Sequence, residues 1–415
     1  MLGARPPRVA LFDTTYPSTL AMLQSLAQSG ASVHVYQNEA YSPLRYSRYA
    51  KQVGHCPPLN DYTAFPAWLA EQLKAGVFDV VAPTSDVICY HIAQSLELIA
   101  EPYRERLPTR DSILDVLFKD RLAEACARHD IATPRTRAPT SLEQALLDAE
   151  EVGYPLILKP RSHICDPGER GRRIDNPEQL RRDFHAYEMP ESQRALVAAQ
   201  PDLIWPLLQQ YVDHSNPQLS CSGLLDASSR TVAAAATIKV DQSPSATGVG
   251  TAFYSYQDDD FIQNCTDSVR KLLGRGLFEI ELLRDGDGPR MVIDVNARAF
   301  GQINFDIARG SDLPALWHAS LNGESNQAPR AKQGIVCLDP GPFFLANLTR
   351  IVTGPNRWRR LVRVFRLLQR TRSWRGWNWR DPIASVLMCL WPLRHPSTFV
   401  RSHIRERDNN ADLPY

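Results

Sequence analysis

Short apolar runs alternate with helix-length amphipathic segments over the first hundred residues. Three runs have the length and composition of buried strands, namely residues 9–12, 33–36 and 78–83. Two segments between and after them have the pattern of helices, residues 18–28 and 86–100, with Ser18 as the cap of the first. This alternation is typical of an open parallel sheet. No GxGxxG motif follows the first strand, which disfavours a dinucleotide site there.

The middle of the chain mixes helix and strand patterns. Helical spacing of apolar residues predicts a helix over residues 111–128, capped by Asp111, and another over 258–273. Strands are predicted at 156–159, in three runs between 207 and 240, and at 277–283 and 291–295. The sequence Asp-Gly-Asp-Gly joins the last two strands and predicts a hairpin. The arginine-rich stretch 161–175 lacks apolar periodicity and is expected to be a mobile loop.

Composition places the chain among ordinary globular proteins. It has 415 residues, of which 43% are hydrophobic and 22% charged, so two or three domains are expected and a disordered, collagen-like or coiled-coil chain is excluded. The eight cysteines lie at least 33 positions apart, which disfavours a zinc or redox motif. The longest apolar run, residues 383–393, is about half of what a spanning helix needs. These features predict a cytoplasmic protein.

Charge is distributed unevenly along the chain. Residues 350–407 contain fourteen arginines, no lysine and two acids, a net charge of +12, so the rest of the chain carries −11. Apolar residues from Trp358 to Leu368 recur at helical spacing among these arginines. A basic amphipathic helix with tryptophans predicts peripheral binding to an anionic membrane surface, at the inner face of the membrane. Packing of this segment on the acidic body is an equal alternative; without a recognised module, specific nucleic-acid binding is the weakest reading.

The predicted hairpin brings candidate metal ligands together. Glu279 and Glu281 share one face of its first strand, and Asp294 and Asn296 share a face of the second, because side chains alternate along a strand. An all-oxygen site of this kind suits Mg²⁺ with nucleotide phosphates. Arg298 would lie beside the metal and could meet a phosphate or a developing oxyanion. A solvated polar face of an edge hairpin is the alternative.

Four segments in order resemble the ATP-grasp superfamily. Residues 278–282 with 292–298 are similar to its metal-binding signature, in which an acid is followed by acid-x-Asn-x-Arg. Residues 118–122 resemble its first-lysine helix, and residues 154–160 its second-lysine strand. Residues 208–212 stand where its adenine-binding segment falls. The resemblance covers about residues 8–320 and is closest to the carboxylate–amine ligases, related in motif to the biotin carboxylase and D-alanine–D-alanine ligase group.

The resemblance implies a set of nucleotide ligands. Lys119 and Lys159 would contact the α- and β-phosphates of ATP, although Lys119 could also be an ordinary surface lysine. Gln209 would hold the adenine amino group, or be a routine strand residue. The remaining implied ligands are the backbone of Gln210 and Val212 for the adenine edge and Gln218 for the ribose.

The resemblance also implies catalytic and metal-binding roles. Lys239 would reach the γ-phosphate or the substrate carboxylate, and Arg298 would act on the reacting group. Two Mg²⁺ ions, for which Mn²⁺ could substitute, would be held by Glu281, Asp294 and Asn296. The sequence departs from the family pattern where glutamate is usual, at Gln209 and Asp294. It also lacks the usual glycine run in the arginine-rich loop.

Together these features predict an α/β protein with three segments. An N-terminal open parallel sheet domain spans residues 1–107, an ATP-grasp α+β core spans 108–327, and a basic helical extension spans 328–415. The predicted function is ATP-dependent ligation of an amino-acid or peptide-like carboxylate to an amine through an acyl phosphate, releasing ADP and phosphate. An ATP-grasp phosphotransferase and a non-catalytic nucleotide-binding subunit are the alternatives. Small-molecule acid and amine substrates are the expected partners, and a homodimer is a further expectation. Thr84 and Asp86 are expected either to help hold the acceptor or simply to form a capped helix start, with equal weight.

Overall fold

A parallel sheet forms the first part of the fold. The computed structural model describes residues 6–38, 42–165, 171–213, 216–243, 249–324, 327–354 and 356–390. The first sheet has the order β3-β2-β1-β4, and its strands pair in parallel. Its elements are β1 (Arg8–Phe12), α1 (Pro17–Gln28), β2 (Ser32–Gln37), β3 (Val53–His55), α2 (Ala64–Lys74), β4 (Val80–Val81), α3 (Asp86–Ser95) and α4 (Glu101–Arg104).

The predicted parallel sheet is therefore confirmed, although β4 and α3 are shorter than expected. β1 is buried from Val9 to Phe12, as its apolar run indicates. Ser18 lies buried inside α1, which begins at Pro17, so its assignment as the cap was wrong. The helix expected to reach residue 100 ends at Ser95 and continues as a short 3₁₀ turn.

The helix expected over residues 111–128 is two helices, α5 (Arg110–Leu117) and α6 (Lys119–Arg128). Thr109 caps α5 by accepting a hydrogen bond from the Ser112 amide, so Asp111 is not the cap. The helix is interrupted at Phe118, whose backbone is extended. The break frees the Lys119 amide to donate to the Arg161 carbonyl at 2.8 Å, which fixes the start of α6 beside the next sheet.

A second, antiparallel sheet follows, with the order β5-β8-β6-β7. One face is covered by helices whose apolar residues form a separate small core with Leu156, Leu158 and Ile174. The stretch expected to be a loop contains a strand at Arg172–Ile174, and its residues 166–170 lie outside the described ones. The elements are β5 (Thr136–Arg137), α7 (Leu142–Val152), β6 (Leu156–Lys159), β7 (Arg172–Ile174), α8 (Pro177–Asp183), α9 (Arg194–Ala199) and β8 (Leu207–Gln210).

The third sheet has seven strands in the order β13-β12-β9-β10-β11-β14-β15, in which β14 is Val336–Leu338 and β15 is Thr371–Trp374. Its first five strands in space pair antiparallel, and β15 pairs in parallel with β14. The three runs predicted between residues 207 and 240 are β8, β9 and β10, and the helix predicted over 258–273 is α10 with Asp258 as its cap. The new elements are β9 (Leu219–Leu225), β10 (Thr231–Ser243), β11 (Val249–Tyr256), α10 (Asp259–Leu272), β12 (Gly276–Arg284) and β13 (Arg290–Asn296).

The last part of the chain packs against the first and third sheets. Besides its predicted helices, it supplies two strands to the seven-stranded sheet that the sequence pattern did not indicate. Within the described residues, no helix is long and apolar enough to span a membrane. The elements are α11 (Ile303–Arg309), α12 (Leu313–Leu321), β14 (Val336–Leu338), α13 (Pro340–Thr353), α14 (Arg357–Arg370), β15 (Thr371–Trp374) and α15 (Pro382–Leu390).

Asp381, just before α15, joins the end of the chain to its beginning. Its carboxylate is buried and accepts hydrogen bonds from the Gln24 side chain at 3.0 Å and from the Arg48 amide at 3.1 Å. The Ser47 hydroxyl donates to the same carboxylate. A buried carboxylate with several donors is well satisfied, so Asp381 is held against α1 and the segment at Ser47 and Arg48.

Candidate functional site

The predicted hairpin forms with the expected pairing. β12 and β13 run antiparallel, with Glu279 opposite Asn296 and Glu281 opposite Asp294. Directly opposite residues on neighbouring strands project to the same face, so the four polar side chains lie together. The register shifts only beyond Glu281, after the polar pairs have formed. The hairpin therefore supplies the floor of a polar site at one edge of the seven-stranded sheet.

Glu279 is held on both carboxylate oxygens. The Asn296 amide donates to one oxygen at 3.2 Å, and the side chain of Gln302 donates to the other. Burial raises the pKa of Glu279 well above its usual value, and the neighbouring Glu281 raises it further. Glu279 is thus already occupied by protein donors.

Glu281 and Asp294 have more varied surroundings. The Gln218 side chain donates to Glu281, which places Gln218 beside the candidate metal ligands. Burial raises the pKa of Glu281, which the positive charge of Lys239 partly opposes. Burial would raise the pKa of Asp294 as well, but Lys119, His163 and Lys159 together outweigh burial and lower that pKa below its usual value.

Lys119 begins α6 and points into this site. Its Nζ lies 3.0 Å from Asp294 Oδ1, and its side chain is largely buried. The helix break at Phe118 places this lysine at the first position of α6, next to the turn after β6. An internal cation is therefore already present among the carboxylates.

Lys159 ends β6 and supplies a second cation. Its Nζ donates to Gln209 Oε1 at 2.8 Å, and the amide nitrogen of Gln209 donates to Thr136 Oγ1 at 2.9 Å. Burial and the positive charge of Lys119 lower the pKa of Lys159 to about 7. An anionic partner would favour the charged form of this lysine and raise its pKa again.

The other residues expected near the adenine lie in the same region as Gln209. The side-chain oxygen of Gln210 accepts from the Arg135 amide at 3.3 Å. Val212 packs in a small apolar cluster with Leu283 and Met291. The strand that carries Gln209 therefore ends against the far end of the hairpin.

Lys239 projects from β10, two strands from the hairpin in the same sheet. Its Nζ lies 3.4 Å from Gln242 Oε1. Burial lowers the pKa of Lys239, and the charges of Glu281 and Glu279 oppose that shift. It is thus electrostatically coupled to the carboxylates of the hairpin.

Arg298 is fixed by the first sheet domain. Asp86, the first residue of α3, accepts from Arg298 Nε at 2.7 Å and from its second terminal nitrogen at 3.0 Å. The Ala299 amide also donates to the Pro83 carbonyl at 2.8 Å. Burial opposes both charges, yet the pair lowers the pKa of Asp86 and raises that of Arg298. Thr84, expected near the acceptor with Asp86, is buried and donates to the Phe12 carbonyl at 3.4 Å.

Sequence reasoning missed two polar neighbours of the site, His163 and Gln302. The positive charge of Lys119, followed by burial, lowers the pKa of His163, whose surroundings also include Asp294, Asp86 and Arg298. The signal for His163 was its position four residues after Lys159. Gln302 has no comparable signal, because its contact with Glu279 depends on the turn that follows β13.

The donor set fits Mg²⁺ only if substrate and water complete it. Among the described residues, no group of three or more His, Cys, Asp or Glu side chains is arranged to hold a metal ion. Glu281 and Asp294 do stand opposite each other, with the Asn296 amide adjacent on the same strand face. Mg²⁺ commonly takes one or two carboxylates plus phosphates and waters, so this incomplete oxygen set suits it.

The arrangement is therefore a polar cluster in which lysines from three elements lie near carboxylates from one hairpin. Lys119, Lys159 and Lys239 come from α6, β6 and β10, and the carboxylates from β12 and β13. Such alternation of charges can hold a polyanion together with a divalent cation.

Comparisons with known proteins identify the fold. No family model and no curated protein matches the sequence. Carboxyaminoimidazole ribonucleotide synthase from Aspergillus clavatus, in complex with ATP, has a TM-score of 0.61 and 15% identity over 85% of this chain and 87% of its own. The biotin carboxylase domain of 2-oxoglutarate carboxylase from Hydrogenobacter thermophilus, in complex with MgADP and bicarbonate, has a TM-score of 0.62 and 16% identity, covering 80% and 74%.

A third similar structure is an L-amino acid ligase from Bacillus licheniformis. Its TM-score is 0.55 at 16% identity, over 79% of this chain and 76% of that one. Matches over most of this chain to three solved structures confirm the fold that the motifs predicted. The chain therefore has the fold of the ATP-grasp superfamily.

Proposed function

We propose that the protein is an ATP-dependent ligase that joins a carboxylate to an amine and releases ADP and phosphate. The observation that carries the proposal is the single charged network of Lys119, Lys159, Glu281, Asp294 and Arg298. This network combines cations for phosphates with carboxylates for a metal. The names of the similar structures, which include an amino acid ligase, support the same class of reaction.

Lys119 and Lys159 are the proposed phosphate ligands. Both are largely enclosed, and their present partners are a carboxylate and an amide. Phosphate oxygens would replace these partners, and a lysine ammonium acts on them as a point charge. Gln209 lies next to Lys159, so the base of the nucleotide is proposed to lie along β8, with Gln210 and Val212 at its edge and Gln218 towards the sugar.

Glu281, Asp294 and Asn296 would hold the Mg²⁺ ions. When bound, Mg²⁺ supplies neutralisation of the β- and γ-phosphate charge. Without a cation, burial disfavours the ionised form of Glu281. A cation bound here would stabilise the ionised carboxylates of the hairpin. Lys119 would then exchange its ion pair with Asp294 for contacts with the phosphates.

The reaction is proposed to proceed in two steps. A carboxylate oxygen of the first substrate attacks the γ-phosphorus of ATP, which forms an acyl phosphate and releases ADP. The amine nitrogen then attacks the acyl carbon, the phosphate leaves with the bonding electrons, and the nitrogen loses a proton to give the amide. Both steps place negative charge on oxygens that donors in an enclosed site can stabilise.

Arg298 is the proposed donor to that charge, and Lys239 is proposed to hold the γ-phosphate or the substrate carboxylate. Asp86 fixes the Arg298 guanidinium from one side through two hydrogen bonds. A guanidinium held in this way is pre-oriented. Its remaining nitrogen donates a hydrogen bond to the Ala299 carbonyl at 3.0 Å. Preorganised donors stabilise a transition state without the cost of reorganisation.

The test is a coupled assay of ADP and phosphate release with MgATP and pairs of small acids and amines. We expect release that requires both substrates, with an amide product detected by intact mass. Asp294→Asn should abolish it, whereas the matched change Asp285→Asn, in the exposed turn of the same hairpin, should not. A stable phosphorylated product without amide would instead establish a phosphotransferase. Nucleotide binding without turnover across the panel would establish a binding subunit.

A further inference from the structure

α13 exposes an apolar face to solvent. Phe344, Leu348 and Val352 are 46%, 61% and 59% exposed, and their spacing of four residues aligns them along one side of the helix. The only charged residue of α13 is Arg350, which is buried against Asp241 at 2.6 Å. A surface helix ordinarily turns polar residues to water, so the outer face of α13 is unusual.

α14 continues this apolar surface. A connection of three residues joins the two helices, which pack against each other. Val364, Leu367 and Leu368 pack on the seven-stranded sheet, whereas Trp358, Leu361 and Phe365 are exposed, Trp358 by 76%. We call the exposed apolar side chains of α13 and α14 the outer patch: Phe344, Leu348, Val352, Trp358, Leu361 and Phe365.

The outer patch is bordered by positive charge. α14 contains six arginines and no acidic residue, and Arg359 and Arg366 are exposed. From residue 350 to residue 380 the sequence has no acid at all. A second copy of this face would bring like charges together, which disfavours a symmetric dimer through it. Charge complementarity instead favours a partner surface that is apolar and anionic.

We infer that the outer patch docks onto an anionic lipid bilayer, with α13 and α14 lying in the plane of the interface. A bilayer offers both an apolar layer for the exposed side chains and negative headgroups for the arginines. Tryptophan and arginine side chains suit the boundary between the headgroups and the acyl chains, because each has an apolar part and a polar end. The inference does not depend on the proposed ligase reaction.

The test uses the full-length chain in co-sedimentation with vesicles of phosphatidylcholine and phosphatidylserine, and with vesicles of phosphatidylcholine alone. Leu348→Ser with Phe365→Ser tests the apolar side chains of the outer patch. Arg359→Glu with Arg366→Glu tests the positive charge at its border. A matched charge control is Arg194→Glu with Arg330→Glu, two exposed arginines elsewhere on the surface. Leu147→Ser, also exposed, is the apolar control. Circular dichroism melting verifies that each variant is folded.

We expect binding only to the anionic vesicles. Charge reversal at Arg359 and Arg366 should weaken the affinity for anionic vesicles by about 10-fold or more, because each arginine near the membrane surface raises that affinity severalfold. Raised salt should weaken it too, since the screening length falls from about 10 Å at 0.1 M to about 3 Å at 1 M. The serine pair should weaken binding, and both controls should bind as the parent does.

Three results would overturn the inference. The folded parent could fail to sediment with anionic vesicles at low salt. The control pair could lose as much affinity as Arg359→Glu with Arg366→Glu, which would mean that net charge alone acts. Light scattering could also show a dimer that Leu348→Ser with Phe365→Ser converts to a monomer, and the patch would then bind another protein surface.

Discussion

Lys159 should take up a proton when a nucleotide binds. In the free protein, burial and Lys119 lower its pKa to about 7, with Asp294 and Glu281 as the nearby opposing charges. Phosphate oxygens at the same place would favour the ammonium form and raise that pKa again. Above pH 7 the free lysine is mostly neutral and the bound lysine charged, so binding draws a proton from the buffer.

The size of the uptake follows from the pKa. At pH 8, a group with a pKa near 7 is about one tenth protonated, so restoring it towards the ordinary lysine value takes up about 0.9 proton per nucleotide. At pH 6 the same group is already about nine tenths protonated, and the uptake falls to about 0.1. By linkage, this group makes nucleotide affinity fall as pH rises above 7, approaching about tenfold per pH unit.

Isothermal titration calorimetry measures this uptake directly. Titration of ADP at pH 6 and pH 8, in buffers with different ionisation enthalpies, gives the number of protons from the slope of the observed enthalpy. Lys159→Arg keeps a permanent charge and should remove the uptake at pH 8 while retaining binding. Lys271→Arg, on the exposed last turn of α10, is the matched control. Equal uptake at pH 8 in the parent and in Lys159→Arg would refute the assignment of this lysine to the phosphates.

Three further predictions concern the hairpin and its arginine. Asp294→Ala or Asn296→Ala should lower ADP release by about 10²-fold or more with the fold retained, and near-normal turnover at saturating Mg²⁺ would exclude them as metal ligands. Arg298→Lys should lower kcat by about 10²-fold or more with little change in KM for ATP; the reverse pattern would show that Arg298 only binds nucleotide. Asp86→Ala leaves the largely buried Arg298 unpaired and should lower the unfolding free energy by about 3 kcal/mol, measured by urea denaturation, and a loss below about 1 kcal/mol would contradict a stabilising pair.

The hairpin was predictable because its information is local. The alternation of Glu279 and Glu281, the Asp-Gly-Asp-Gly turn, and the acid and amide of the second strand define the register within about twenty residues. Lys159 was also accessible to sequence reasoning, since a lysine that ends a buried strand needs a partner. In both cases a single element and its periodicity determine where the side chain points.

The remaining features depend on contacts between distant segments. The Asp86–Arg298 pair spans 212 positions, and no periodicity within either segment indicates it. The helix interruption at Phe118 depends on the carbonyl of Arg161, which lies two helices and two strands later in the chain. β15 lies among tryptophans and arginines that suggest a helix, but pairing with β14 outweighs local preference.

Asp381 has a consequence for how the protein is made. The residues that donate to its carboxylate, Gln24, Ser47 and Arg48, are translated more than three hundred positions earlier. At about 5–20 residues per second, the first sheet waits roughly 20 to 70 s on the ribosome for this partner. During that interval its donors must be hydrated or held by a chaperone. A nascent chain released before Asp381 would leave these three donors without their buried acceptor, so premature termination should yield a less stable species than the full chain.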